Sequence, residues 1–168
     1  MENLSQLLSN IFSGQNLAIL GAGLAAFLSG IGSAKGVGLV GEAAGGLLTE
    51  DPGKFGKALA LQALPMTQGV YGLVAAFLIL FKIGLFGNAV ELTTAQGAYF
   101  LMAAIPYAFV GYSSAIKQGR VAASGINLIS KRPDQLGKAI TSAALVETYA
   151  IFGLLITLMV VFRCPFIG

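Results

Sequence analysis

The sequence predicts an all-α membrane protein whose four transmembrane helices form two duplicated hairpins, and these assemble into a homo-oligomeric ring. The first observation is composition: of 168 residues, 56% are hydrophobic and 10% are charged, with a mean hydropathy of +0.82. A soluble domain of this size needs more polar surface, so we expect the chain to lie in a bilayer. We treat residues 1–168 as a single membrane domain.

Apolar segments supply the second observation. They are Leu17–Leu48, Phe55–Phe81, Ala95–Ile129 and Leu136–Phe162. Each of them reaches the roughly 20 residues that a spanning helix requires. None alternates apolar and polar residues in the way that a membrane barrel strand does. The segments therefore predict helices rather than strands.

An internal repeat is the third observation, because the two halves match without gaps at an offset of 81 residues. Matched pairs include Gly30 with Gly111, Ser33 with Ser114, Pro52 with Pro133, and Thr67 with Thr148. The repeat predicts a first helical hairpin over residues 13–82 and a second over residues 92–163. An offset of two helices keeps the orientation of each half, which argues against transporters with inverted repeats.

Small residues distinguish the first and third segments, which are rich in glycine, alanine and serine. Such residues let helix backbones approach closely in lipid. We expect these two helices to form a tightly packed inner layer, with the bulkier second and fourth helices outside it. A closed ring of hairpins requires such a layer and a single four-helix bundle does not. Ordinary small-residue packing in a membrane protein of many helices is the alternative.

The distribution of charged residues predicts the orientation of the chain in the membrane. Basic residues surround the two predicted hairpin turns, at Lys54, Lys57, Lys131, Arg132 and Lys138. The positive-inside rule places both turns in the cytoplasm and both termini on the other side of the membrane. A net charge of +3, scattered in this way, does not indicate a nucleic-acid partner.

Four further charged residues lie within the predicted helices. Lys35 and Glu42 are seven residues apart, so they share a helix face and we expect them to form a loose pair. Lys117 and Arg120 flank Gln118. Neither needs to point in the direction of Gln118, because long basic side chains extend towards the membrane interface.

Glu147 is the most informative residue because it lies in the middle of the last apolar segment. No other charged side chain occurs between Lys138 and Arg163. A charged group at the bilayer centre costs about 3 kcal/mol on insertion scales, so such residues tend to be functional. The equivalent position in the first half is Met66, which leaves one such carboxylate in four helices.

Polar residues are expected at the same depth as Glu147. Counting from each proline turn at about 1.5 Å per residue places Thr67, Gln68 and Gln118 within about one helical turn of its plane. Tyr71 follows Thr67 by one turn on the same face, so its hydroxyl can donate to the carboxylate.

Pro65 is expected to disturb the second helix at this level. Proline has no N–H, so we expect the carbonyl of Leu61 to lose its helical partner and those nearby to be loosened.

This group of oxygens favours a hard cation, and its single negative charge favours a monovalent one such as Na⁺. A site for a proton alone would need only the carboxylate, with its pKa raised by apolar surroundings. Zinc and iron are disfavoured because the chain has no histidine and one distant cysteine. The alternative is that these polar groups form hydrogen bonds only to one another.

Motifs across the chain resemble a known family. They are GIGSAKGVG (Gly30–Gly38), LPMTQGVYG (Leu64–Gly72), KQGRVAASG (Lys117–Gly125) and VETYA (Val146–Ala150). The sequence is similar to the proteolipid rotor proteins of bacterial V-type sodium ATPases. This resemblance implies a Na⁺ site formed by the Leu64 carbonyl, Thr67, Gln68, Gln118 and Glu147, with Tyr71 steadying the carboxylate.

The same resemblance implies partners and a location. The ring would turn in a bacterial cell membrane against a stator subunit that carries an arginine. Central-stalk subunits would dock on the cytoplasmic turns, and ATP hydrolysis would occur on other subunits, so the chain alone would not be catalytic.

Three rival functions remain open at this point. The nearest is a proton-translocating ring of the same rotary type. A small exporter of drugs or cations that uses Glu147 alone would need an open, aromatic-lined cavity in place of glycine packing. A purely structural membrane ring would leave the group of oxygens without a role.

Overall fold

The computed structural model describes residues 3–87 and 90–164, which are helical over most of their length and contain no strand. The helices are α1 (Leu4–Ile11), α2 (Gly14–Glu50), α3 (Phe55–Ala63), α4 (Thr67–Lys82), α5 (Thr94–Lys131) and α6 (Leu136–Phe162). Four segments are long and apolar enough to cross a membrane: Gly14–Glu50, Pro52–Lys82, Thr94–Lys131 and Pro133–Phe162. The predicted all-α class with four spanning helices is confirmed.

Helix α1 is a short element that the apolar segments do not predict. Its N-cap residue Asn3 accepts a hydrogen bond from the Ser5 N–H and forms a capping box with Gln6. Its apolar residues recur at helical spacing, yet Leu4 and Ile11 are 71% and 59% exposed. Local capping therefore defines this helix, and burial against the rest of the chain contributes little.

The hairpin turns follow one plan. A 3₁₀ turn that begins at Pro52 or Pro133 separates the two helices of each hairpin, and proline suits that first position. The Lys54 ammonium lies 2.9 Å from the Ser130 carbonyl oxygen, and the Lys57 ammonium lies 3.1 Å from that of Pro133. Both turns therefore lie side by side at the same end of the molecule.

Helices α2 and α5 form the closely packed pair at the centre of the fold. A Cβ atom added at Gly32 would lie 2.7 Å from the Tyr112 Cα, and one added at Gly36 would lie 2.5 Å from the Ala115 carbonyl oxygen. A Cβ atom added at Gly119 would likewise lie too close to the backbone of Gly36. Glycine is thus required where these two backbones touch, as the inner-layer prediction expects.

The outer helices pack on this pair through equivalent positions of the repeat. Gly72 of α4 lies against Ser29 of α2, and Gly153 of α6 lies against Val110 of α5. Because these glycines are 81 residues apart, as are Ser29 and Val110, each hairpin closes in the same way.

Pro65 divides the second membrane segment into α3 and α4. The residues Leu64–Met66 form a 3₁₀ turn at this point. The expectation that Leu61 loses its carbonyl partner is wrong, since that oxygen accepts a hydrogen bond from the Leu64 N–H. The tighter i to i+3 pattern of the turn supplies a donor in place of the one that proline lacks.

Candidate functional site

Glu147 is half-buried near the middle of α6, where two side chains orient its carboxylate. The Tyr71 hydroxyl donates to Oε1 at 2.9 Å. The Gln118 side-chain amide donates to Oε2 at 3.3 Å. Each carboxylate oxygen therefore has a donor from a different helix, and the predicted Tyr71 contact is confirmed.

Gln68 and Gln118 extend this arrangement into the interior, where both side chains are 0% exposed. The Gln68 Nε2 donates to Gln118 Oε1 and, at 3.2 Å, to the Ser114 hydroxyl oxygen. Buried amides carry a large desolvation cost unless they are paired. The chain of bonds from Gln68 through Gln118 to Glu147 satisfies that requirement and links α4, α5 and α6.

Thr67 and Leu64 bring two further oxygens to the same region. The Thr67 hydroxyl donates to the Leu64 carbonyl oxygen at 3.1 Å and lies 3.4 Å from Gln68 Oε1. Leu64 belongs to the 3₁₀ turn that directly precedes Thr67. The residues predicted from depth alone thus meet in one network.

Tyr107 and Ser114 belong to the network as well, and they are not among the residues predicted from the sequence. The Tyr107 hydroxyl, which is fully buried, donates to the Gln68 carbonyl oxygen at 2.6 Å. The Ser114 hydroxyl donates to the Val146 carbonyl oxygen at 3.2 Å. Ser114 could have been predicted from the sequence, because it precedes Gln118 by one helical turn on the same face.

Two other serines stabilise the base of the site. Ser33 accepts a hydrogen bond from the Gly69 N–H at 2.8 Å, and its hydroxyl lies 3.4 Å from the Met66 carbonyl oxygen. Ser29 donates to the Ala25 carbonyl oxygen at 2.6 Å. The Ser33 contacts hold α4 against α2 directly after the proline, where the helix has lost a regular hydrogen bond, whereas the Ser29 bond lies within α2.

The remaining charged residues of the inner helices lie outside this network. The Lys35 ammonium lies 3.3 Å from the Tyr112 hydroxyl and 5.5 Å from the centre of its ring. Lys35 therefore contacts Tyr112 rather than Glu42, the partner expected from the sequence. Lys117 and Arg120 are exposed, whereas Gln118 between them is buried, as expected.

Chemically, the site has one carboxylate, two carboxamides, hydroxyl groups and a backbone carbonyl in a largely apolar span. Hard cations prefer such oxygen ligands. Donors from Tyr71 and Gln118 fix the direction of the carboxylate. The arrangement is therefore suited to holding one monovalent cation in the membrane interior.

The fold and the repeat place the chain in a known class: it belongs to the family of ATP synthase C subunits, whose model matches residues 20–79 and again residues 101–160. The V-type sodium ATPase subunit K of Enterococcus hirae is 50% identical over 148 residues, which cover 88% of this chain and 92% of that protein. The A-type ATP synthase subunit K of Methanocaldococcus jannaschii is 41% identical over 143 residues, covering 85% of this chain and 60% of that protein. The family resemblance inferred from the motifs is confirmed.

Proposed function

We propose that this chain is the rotor-ring subunit of a rotary V-type ATPase and that it carries Na⁺ across the membrane at Glu147. The observation that carries the proposal is the mid-span carboxylate held by Tyr71 and Gln118 from two other helices. The half-identical relative that is named as a sodium ATPase subunit supports the choice of ion. ATP hydrolysis takes place on other subunits of the complex.

The proposed ligands are the Leu64 carbonyl, Thr67, Gln68, Gln118 and Glu147. Their oxygens replace part of the ion's hydration shell, while Tyr71 keeps the carboxylate in place by donating to Oε1. Pro65 contributes indirectly, because it lies in the 3₁₀ turn that contains Leu64 and directly precedes Thr67. A proton alone would require none of the three neutral side chains that surround the carboxylate.

Charge balance explains how such a site can work in a turning ring. With Na⁺ bound, the Glu147 site is close to neutral and can face lipid. Without Na⁺, its negative charge is costly in hydrocarbon and requires a positive partner. An arginine on a stationary membrane subunit would supply that partner, so that an empty site stays at the stator until it is loaded.

Energy for this step comes from outside the chain. Moving one elementary charge against the membrane potential costs about 2.3 kcal/mol per 100 mV. The central stalk would transmit that work through the basic turns, which lie side by side at Lys54 and Lys57. In this proposal, both turns lie in the cytoplasm and both termini lie on the opposite side of a bacterial cell membrane.

Protection of Glu147 by sodium tests the proposal. We expect a hydrophobic carbodiimide to label Glu147 in the purified oligomer at neutral pH, and we expect added Na⁺ to prevent the labelling. Potassium at the same ionic strength is the matched control and should protect far less. If labelling depends on pH but not on Na⁺, the ring translocates protons and the sodium proposal is wrong.

Gln118→Leu separates ion binding from assembly. The substitution removes the donor to Glu147 Oε2 and the acceptor for Gln68, so Na⁺ protection should weaken by about 100-fold, equivalent to roughly 2.7 kcal/mol. The yield of oligomer on a native gel should fall much less, because leucine has a similar volume and is apolar. An equal loss of protection and of oligomer would mean that Gln118 is only structural.

A further inference from the structure

Ser114 connects three helices through a single hydroxyl group. The hydroxyl donates to the Val146 carbonyl oxygen of α6 at 3.2 Å and accepts from the Gln68 Nε2 of α4 at 3.2 Å. Ser114 itself lies on α5 and is 5% exposed. A serine within a helix commonly bonds a carbonyl oxygen of its own preceding turn, as Ser29 does with Ala25. The two bonds of Ser114 run instead to other helices.

The chemistry of these groups fixes the direction of each hydrogen bond. A backbone carbonyl only accepts, so the one proton of the Ser114 hydroxyl is directed to Val146. The lone pairs of the same hydroxyl only accept, so they require an N–H from Gln68. The Gln68 amide is thereby oriented with its NH₂ group towards Ser114, and its Oε1 lies 3.4 Å from the Thr67 hydroxyl.

A second constraint of the same kind begins at Glu147. An ionised carboxylate only accepts, so Gln118 directs its NH₂ group to Glu147 Oε2 and its own Oε1 towards Gln68. The two protons of Gln68 Nε2 are then used by Gln118 Oε1 and Ser114. Each amide oxygen has two lone pairs, so Gln118 Oε1 retains one for a cation. Both oxygens are therefore available as ligands while both NH₂ groups are held elsewhere.

The main chain of Gln68 is held by other residues. The Tyr107 hydroxyl donates to the Gln68 carbonyl oxygen at 2.6 Å, and Ser33 accepts from the Gly69 N–H at 2.8 Å. Neither of these bonds involves the side-chain amide. Loss of the Ser114 hydroxyl would therefore leave the backbone of Gln68 in place and release mainly the rotation of its amide.

The internal repeat separates a structural role of Ser114 from its contact with Gln68. Its equivalent, Ser33, lies 81 residues earlier and also bonds to the outer helix of its own hairpin. A bond between the inner and outer helix is thus common to both serines. Of the two, only Ser114 bonds a side-chain amide within the described part of the chain. That additional bond is the one that bears on the cation site.

We propose that Ser114 is a positioning residue for cation binding, which holds the Gln68 amide with its oxygen, and not its nitrogen, directed at the ion. The amide nitrogen carries protons with partial positive charge, so an amide turned the other way would repel a cation. A ligand that is already oriented also loses less conformational freedom when the ion binds. The proposal rests on the proposed sodium site and adds to it a residue that does not itself bind the ion.

Ser114→Ala tests the proposal, because it removes the acceptor for Gln68 Nε2 with little change in volume. The sodium concentration that half-protects Glu147 from carbodiimide should rise by about 10-fold, the effect of one lost hydrogen bond between buried neutral groups. Ser113→Ala is the matched control, because Ser113 is adjacent but exposed, and it should behave as the unmodified protein.

Two negative outcomes of this experiment have different meanings. If Ser114→Ala keeps the half-protecting sodium concentration of the unmodified protein, Ser114 does not position Gln68 and the proposal is wrong. If the unmodified protein itself shows no protection by sodium, the sodium site of the proposed function is refuted instead.

Labelling in sodium-free buffer provides a readout that general loosening of the site would change. The reagent reacts with the protonated carboxyl group, whose direct contacts are Tyr71 and Gln118. Ser114→Ala should therefore keep the pH dependence of labelling and the yield of oligomer on a native gel. A shifted pH profile or a large loss of oligomer would mean that the substitution disturbs the whole site, which contradicts a specific positioning role.

A double substitution decides whether Ser114 acts through Gln68. Gln68→Leu removes both the oxygen ligand and the amide that Ser114 holds, so it should weaken sodium protection strongly. Ser114→Ala added to Gln68→Leu should change protection by a further factor of about two or less, because residues that act through one contact are non-additive. A further loss of about 10-fold would show independent effects and would overturn the proposal.

Discussion

Glu147→Gln is expected to abolish ATP-driven sodium transport by the complex while leaving the oligomer intact. The substituted amide is neutral, so a site loaded with Na⁺ would carry a net positive charge. A charge at the bilayer centre costs about 3 kcal/mol on insertion scales, enough to lower occupancy by about 100-fold. The amide can still accept from Tyr71, so packing between α4 and α6 should persist.

Transport is best measured as uptake of radioactive sodium into vesicles that contain the complete complex. Glu42→Gln is the matched control, because Glu42 is an exposed carboxylate outside the network. That control should transport normally, with an equal amount of oligomer on a native gel. Substantial sodium uptake by Glu147→Gln would mean that another group carries the ion.

Gly119→Ala is expected to disrupt the fold itself. An added Cβ would lie 2.6 Å from the Gly36 carbonyl oxygen, and backbone of a neighbouring helix cannot move aside as a side chain can. Overpacking in a well-packed core costs about 1–3 kcal/mol, and the upper end applies where two backbones meet. We expect a loss of oligomer and a clearly lower temperature of thermal dissociation.

Gly46→Ala is the matched control for this prediction. An added Cβ there meets nothing within 4 Å, and alanine favours a helix over glycine by about 1 kcal/mol. Its dissociation temperature should equal or exceed that of the unmodified protein. A similar loss of stability in both variants would indicate that glycine flexibility, and not close packing of α2 on α5, is required.

Much of this architecture could be predicted from the sequence, because it depends on regular spacing. Hydropathy and length are sufficient to find four spanning helices. The fixed rise of a helix then places Gln68, Gln118 and Glu147 at one depth by counting from the proline turns. The Tyr71 contact followed from helical periodicity, since one turn separates it from Thr67.

Other features depend on how helices rotate and bend, which spacing along the chain does not determine. Tyr107 lies well away from Gln118 along α5, so only the packing of α5 on α4 brings its hydroxyl to the Gln68 carbonyl. The carbonyl of Leu61 keeps a donor because the chain tightens locally into a 3₁₀ turn. The pairing of Lys35 with Glu42 was expected from spacing within one helix. In the structure Lys35 contacts Tyr112 of the neighbouring helix α5, which that spacing does not take into account.

Titration of the purified oligomer with radioactive sodium is the most direct test of the central claim. At neutral pH, binding should saturate at one Na⁺ per chain, and it should weaken as the pH falls because protons compete for Glu147. Failure to observe saturable sodium binding at neutral pH would contradict a cation site at this carboxylate.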